Sequence, residues 1–367
     1  MTRLMNKIIL FLTTLIFSFK LDADDRWFRY ESLSKSLEAL SEDDLLSLLK
    51  QGTPLESSWG STLRIEFNGI PIFVKLISLN EVEGNEENLN STRNVFKIPL
   101  YYQYGVGSSG FNVWREVAAN EKATEWVLAG KTINFPMLYH YRIIKNFKER
   151  KPLGEEEFQK EVAYWGNSKE IGDRIIANER AESNVVLFSE YIPEKLKTWL
   201  HKELKKGNRA IDKAIAMVEK ELQETTLYLK NEGMIHFDAH FHNILTDGEH
   251  LYFSDFGLAL SSEFDLSEEE VQFFNLHKDY DRYFVLASLA NWIVANTFGK
   301  EGMEEVMKVY AEDRIPEFRP DSLTPFLESI LKRNAALTFK MGQFFNSLIK
   351  ETKETPYPSV DLENELF

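Results

Sequence analysis

The chain contains no cysteine. Disulfides, thiolate metal centres and cysteine nucleophiles are therefore excluded; a reducing compartment is compatible with this but not required by it. Positive charge is also short. Lys and Arg total 43 against 58 Asp and Glu, a net charge of −15. So acidic a chain is a poor electrostatic match for nucleic acid or an anionic membrane surface. No internal repeat is present, and beyond the first 25 residues no apolar run is long enough to span a bilayer. What remains is 367 residues with 43% hydrophobic content. That is enough for a sizeable core, and the length suggests about two domains or lobes.

The first 25 residues stand apart. Arg3 and Lys7 precede an apolar run from Ile8 to Phe19, which resembles the charged and hydrophobic regions of a secretory signal. The run is too short for a comfortable transmembrane helix, and Lys20–Asp25 offers no clear small-x-small cleavage site. The expectation is a cytoplasmic protein whose residues 1–25 pack on the domain or act as a surface anchor, with export as the alternative.

Residues 26–54 read as a helical extension. Ser41-Glu42-Asp43-Asp44 caps an apolar-periodic segment, and Gly52-Thr53-Pro54 ends it. Leu63, Ile65 and Phe67 then alternate with polar residues before Asn68-Gly69, the strongest short hairpin signal. The second strand runs from Ile70 to Ile77. Residues 80–112, rich in Asn, Glu, Gly and Ser, predict an ordered loop or lid, and Val113–Leu128 predicts a helix. Strand character returns over Ile133–Ile144 and Val185–Phe188. Between them, 145–184 reads as a charged, helix-prone insertion with a solvated face. A long helix is expected over Arg209–Lys230, stopped by Asn231-Glu232-Gly233. The chain is mostly helical from Asp279 and ends in a loose tail, 356–367. A strand-rich first third (55–190), a connector and a helix-rich remainder (191–355) make an α+β, two-lobed layout.

The densest chemistry lies in His236-Phe237-Asp238-Ala239-His240-Phe241-His242-Asn243, followed after a short apolar hairpin by Asp255-Phe256-Gly257. A buried Asp without partners is costly, so Asp238 in a His- and Asn-rich loop argues for ligands. Asp247-Gly248 turns a hairpin between Ile244-Leu245 and Leu251–Phe253 that presents Asn243 and Asp255 at the same end. His-x-Asp with Asn five residues after the Asp, then Asp-Phe-Gly, resembles the catalytic signature of the protein-kinase-like superfamily, over about residues 55 to 295. Asp238-x-His240 is similar to aminoglycoside phosphotransferases and choline-kinase relatives. Ser254–Ala259 looks more like a protein kinase, and a His two after the Asp also occurs in atypical kinase families.

The resemblance implies ATP, Mg²⁺ and a hydroxyl acceptor. Asp238 would accept the acceptor's proton, Asn243 and Asp255 would hold Mg²⁺, and His236 would brace the loop. His240 would orient Asp238 or meet the γ-phosphate, while His242 is incidental. Lys75, at the end of Ile72-Phe73-Val74-Lys75, takes the place of the lysine that contacts the α- and β-phosphates. Its acidic partner is sought on Val113–Leu128 among Glu116, Glu121 and Glu125; Glu121 is preferred for its spacing to Phe135-Pro136. Ser58, Gly60 and Ser61 stand where the glycine-rich phosphate loop would be, with one glycine instead of three. The Ser189–Ile192 connector, including Glu190 and Ile192, would meet adenine through its backbone. Asp281 would anchor the catalytic loop from the following helix. Only 23 residues separate Gly257 from Asp281 and no Ala-Pro-Glu occurs, which leaves little room for peptide docking and tips the acceptor toward a small molecule. The alternatives are an atypical protein Ser/Thr kinase, a nucleotide-binding pseudokinase, and a metal-dependent hydrolase in which His236, Asp238, His240 and His242 share one strand face.

Overall fold

The computed structural model describes residues 25–55, 61–145, 147 and 153–365. The apolar run 8–19, Ser58, Gly60 and Lys148–Lys151 lie outside them. The fold is α+β. Among the described residues no helix is long and apolar enough to cross a membrane.

The chain forms two compact units. The first takes the described residues up to Ile77, Asn120–Phe147 and Asn184–Tyr191. It opens with helix α1 (25–38) and α2 (Glu42–Lys50); Ser41 caps α2 by accepting from Asp44 N. Strands β1 (Thr53–Pro54), β2 (Ser61–Phe67), β3 (Ile70–Leu79), β4 (Leu138–Lys145) and β5 (Ser183–Glu190) form one sheet in the order β1-β2-β3-β5-β4. Asn68 and Gly69 both take positive φ, 52° and 76°. They close the β2–β3 hairpin in the register Phe67↔Ile70, as a two-residue turn with left-handed central residues must. Leu33, Leu37, Leu45 and Leu49 of the helices pack on Ile65, Ile72, Val74 and Phe188. The helical extension is therefore part of this unit's core. Helix α3 (Val113–Leu128) begins in the second unit and ends in the first.

The second unit takes Ser78–Ala119, Lys148–Ser183 and Ile192–Phe367. Its further helices are α4 (Glu155–Tyr164), α5 (Lys169–Glu179), α6 (Leu196–Lys205), α7 (Asn208–Asn231), α8 (Glu268–Leu276), α9 (Tyr280–Thr297), α10 (Met303–Ala311), α11 (Pro325–Lys350) and α12 (Ser359–Glu363). Its short strands are β6 (Glu194–Lys195), β7 (Met234–Ile235), β8 (Ile244–Thr246), β9 (Leu251–Phe253) and β10 (Leu260–Ser261). Helix α7 buries the stripe Ile211, Ile215, Val218, Leu222 and Leu229, at the spacing of one helical face. Gly233 at φ +73° then turns the chain out of the helix. Helix α9 packs against α7 and α11.

Two expectations are corrected. The helices of the charged insertion are not merely solvated: Trp165 and Ile171 are buried with Ile98, Tyr102 and Phe111. The tail is not loose, because Leu362 is buried and Tyr357 stacks on His277 at 4.3 Å. In both places a few apolar anchors, unseen in a charged or proline-containing context, outweigh composition.

Candidate active site

The loop His236–Asn243 is held from beneath by one carboxylate. Asp281, in the first turn of α9, accepts from the backbone N–H of His236 (2.6 Å, Oδ2) and of Phe237 (2.9 Å, Oδ1). Phe237 stands at φ +62°, a conformation that costs a non-glycine residue on the order of 1–3 kcal/mol. Its buried ring, against Tyr280 at 4.7 Å and Phe273 at 5.8 Å, helps hold it there. Burial pushes the Asp281 carboxyl up to about 7, against the two amides that favour its charged form.

His236 is fully buried. Its Nε2 lies 3.0 Å from the Ser254 carbonyl and must donate, so Nδ1 accepts from Asp238 N at 3.3 Å. The ring therefore ties the catalytic loop to the strand that carries Asp255. Asn243 Nδ2 donates to Asp238 Oδ2 at 2.8 Å and to Asp238 O at 3.1 Å. With the amide nitrogen so committed, the Asn243 amide oxygen turns away from Asp238. His240 Nδ1 accepts from His242 N, which leaves the proton on Nε2, 3.7 Å from Asp238 Oδ1. Burial lowers the His240 pKa, with Lys195 and Lys197 adding to the effect. His242 is exposed and meets Lys197 Nζ at 3.0 Å.

Strands β8 and β9 pair Ile244 with Phe253, and Ser254 N and Oγ both donate to the Asn243 carbonyl. The hairpin thus brings Asn243 and Asp255 to one end, as expected. Asp255 takes φ +65°, and its Oδ1 accepts weakly from Gly257 N. Their side-chain oxygens are hard donors of the kind Mg²⁺ takes, so the pair fits that ion. A β-carbon on Gly257 would lie 3.3 Å from both Asp255 Oδ1 and Glu116 Oε2. Glu116 is buried and flanks the Asp-Phe-Gly turn. Glu121, the preferred residue, is exposed, and desolvation with Glu125 raises its pKa. Five positions on a helix place these two glutamates on different faces.

The first unit carries Lys75, Ser61 and Glu190. Lys75 lies inside β3, which continues to Leu79, and pairs across the hairpin with Thr62; Ser61 pairs with Leu76. The Glu190 carboxylate is buried against Arg26 at 2.6 Å, and its backbone N–H already donates to Met137 O. Ile192 is half-buried at the start of the last stretch of the second unit.

One element of the site is unforeseen. Within 80–112, a strap runs over the catalytic loop. Gln103 donates to Leu258 O, and the backbone at Gly110 meets Gly257 O so closely that a side chain would collide. Tyr104 is buried, and its hydroxyl lies 2.7 Å from His277 Nε2. Because His277 Nδ1 donates to Phe273 O, Nε2 must accept the Tyr104 proton. Gly105 lies against Asp238. The only sequence signal was the cluster Gly105, Gly107 and Gly110 in a segment without periodicity.

Burial lowers His236 and His277 to about 4 each. The unfolded chain, with imidazoles near 6.5, binds more protons between those values. Each histidine therefore contributes on the order of 3 kcal/mol that is present above about pH 6.5 and lost as pH falls through about 4. Asp281 acts oppositely, its contribution fading as pH rises toward about 7. Two groups outweigh one, so stability should climb from pH 4 to 6.5. Denaturant titrations across that range should show it, with a slope shallower by about one proton in His277→Gln; a flat series contradicts buried neutral imidazoles.

The histidines do not share a face. His236 is spent on Ser254 O and Asp238 N, and His242 on Lys197. Among the described residues no three His, Asp or Glu side chains gather to hold a metal. Compared with known proteins, the chain matches no family model and no curated sequence.

Proposed function

We propose that the protein is an ATP- and Mg²⁺-dependent phosphotransferase that moves the γ-phosphoryl group to a hydroxyl acceptor, a small molecule being favoured over a protein. The observation that carries this reading is the Asp238 carboxylate, oriented by Asn243 Nδ2 at 2.8 Å in a loop whose backbone Asp281 holds. Phosphoryl transfer asks for positioning and charge stabilisation more than covalent help, and such a fixed carboxylate supplies the first. Asp238 would orient the acceptor hydroxyl and take its proton. Asn243 and Asp255 would hold Mg²⁺, which when bound offsets the charge of the phosphates. A site with one carboxylate and one amide oxygen suits an ion that completes its shell with phosphate and water.

The remaining assignments rest on the resemblance. Lys75 keeps its role toward the α- and β-phosphates, Ser58, Gly60 and Ser61 theirs as phosphate loop, and the Glu190–Ile192 connector its role toward adenine. On α3, burial beside Gly257 favours Glu116 over Glu121 as the acidic residue of the site. The finer fold implied is that of a kinase, with a small sheet-rich lobe and a larger helical one.

Incubation with γ-labelled ATP, Mg²⁺ and a cell extract, split into protein and small-molecule fractions, tests the reading. Label should leave ATP and appear in the small-molecule fraction. Label confined to protein would reassign the acceptor, and no transfer under any condition would remove the enzyme reading.

A further inference from the structure

Gly105 needs no left-handed backbone, unlike Gly107 at φ +110° and Gly110 at φ +78°. What forbids a side chain there is Asp238. A β-carbon on Gly105 would stand at hydrogen-bonding, not van der Waals, distance from Oδ1, 3.2 Å from Cγ and 3.6 Å from Phe237 O. The space left by the missing side chain is thus a methyl-sized notch beside the carboxylate oxygen that Asn243 does not address. His240 Nε2–H faces the same oxygen at 3.7 Å.

The strap that makes this notch is fixed. Tyr104, next to Gly105, is buried among Phe237, Phe273, Tyr280 and Phe344, with ring centroids 5.1–6.3 Å away, and its hydroxyl is bonded to His277. Gln103 and Gly110 hold the two sides on Leu258 O and Gly257 O. A backbone so anchored is a wall of the site.

Building on the phosphotransferase reading, we propose that the Gly105 notch seats the acceptor oxygen, and that the acceptor is a small molecule presenting a terminal primary hydroxyl. The strap crosses directly over the carboxylate, so chain extending to both sides of the hydroxyl, as in a polypeptide serine, collides with it. A terminal CH₂OH does not. In the reaction the acceptor oxygen forms its bond to the γ-phosphorus while the bond from that phosphorus to the ADP oxygen breaks. The hydroxyl proton passes to Asp238, and ADP leaves with the electron pair.

The test uses the full chain, γ-labelled ATP and the small-molecule fraction of a cell extract. Gly105→Ala puts a carbon where the acceptor oxygen sits. It should cut labelled product by about 100-fold or more, as misplacement of about 1 Å at a reacting centre does, while the Mg²⁺–ATP thermal shift stays that of the wild type. The product should be a phosphomonoester whose proton-coupled phosphorus signal is a triplet, the mark of CH₂–O–P. Unchanged or faster transfer by Gly105→Ala, a doublet, or label on protein overturns the proposal; a wild type with no transfer fails the parent reading instead. Should Gly105→Ala not fold, Tyr104→Phe adds no atom at Asp238 and loosens only the wall. It should require a higher concentration of the small-molecule fraction for half-maximal rate, with nucleotide affinity unchanged, and a higher maximal rate would show that the strap obstructs the acceptor.

Discussion

Asp238→Asn should leave a folded protein that binds Mg²⁺–ATP and transfers its phosphoryl group about 10³-fold more slowly, within the range a positioned general base contributes. The loop does not depend on the charge of this side chain. Its backbone hangs from Asp281, and His236 ties it to Ser254. An amide at 238 still offers an oxygen to Asn243 Nδ2, now the acceptor of a 2.8 Å bond, so local geometry survives. What disappears is a group able to take a proton. Asp255→Ala should fail differently, because it removes an oxygen ligand and leaves Asp238 intact. Nucleotide-induced stabilisation should then lose its Mg²⁺ dependence. Measured side by side by thermal shift and labelled-product assay, the two variants separate proton acceptance from metal holding. Retained turnover in Asp238→Asn would sink the assignment of the base.

Much of this site was legible before any coordinates. Asn68-Gly69, the apolar stripe of α7 and the Asp247-Gly248 turn each carry strong local signals, and all three appear where expected. The convergence of Asp238, Asn243 and Asp255 follows from the last of them, since a short hairpin leaves few ways to arrange its ends. Asp281 was legible from spacing alone. The choice between Glu116 and Glu121 was not, because both suit a helix and only burial beside Gly257 separates them. The strap was harder still. Coil has no period, and nothing local in Tyr104–Gly110 says that it lies on Asp238. Its position is set by long-range groups: Glu83 with Arg174 at 3.1 Å, His277, and the buried Trp165.

The largest loss of stability is expected from Glu270→Ala. Glu270 Oε1 meets Arg115 Nη2 at 2.5 Å, and both side chains are almost wholly buried, 3% and 2% exposed. The rest of the guanidinium is placed by Thr92 O at 2.7 Å from Nε and by the Phe111 ring at 5.0 Å. Its Nη1 has no hydrogen-bond partner among the described residues. Glu270 also caps α8, its other oxygen accepting from Ser267 N at 3.0 Å. Removing the carboxylate strands a buried cation, which costs about 3–5 kcal/mol, and breaks a capping box as well. Burial already lowers the Arg115 pKa, yet a guanidinium does not escape by losing its proton. The double variant Arg115→Met/Glu270→Leu removes both charges and should recover most of that loss, because a buried pair replaced by apolar groups of similar volume is often neutral or better. Denaturant unfolding of the wild type, the two single variants and the double variant gives the coupling directly. A loss below about 1 kcal/mol in Glu270→Ala would mean that water reaches the guanidinium and the pair is not sealed. Arg115 precedes Glu116 on the turn of α3 that follows the strap, so the stranded charge should also lower phosphoryl transfer in protein that remains folded.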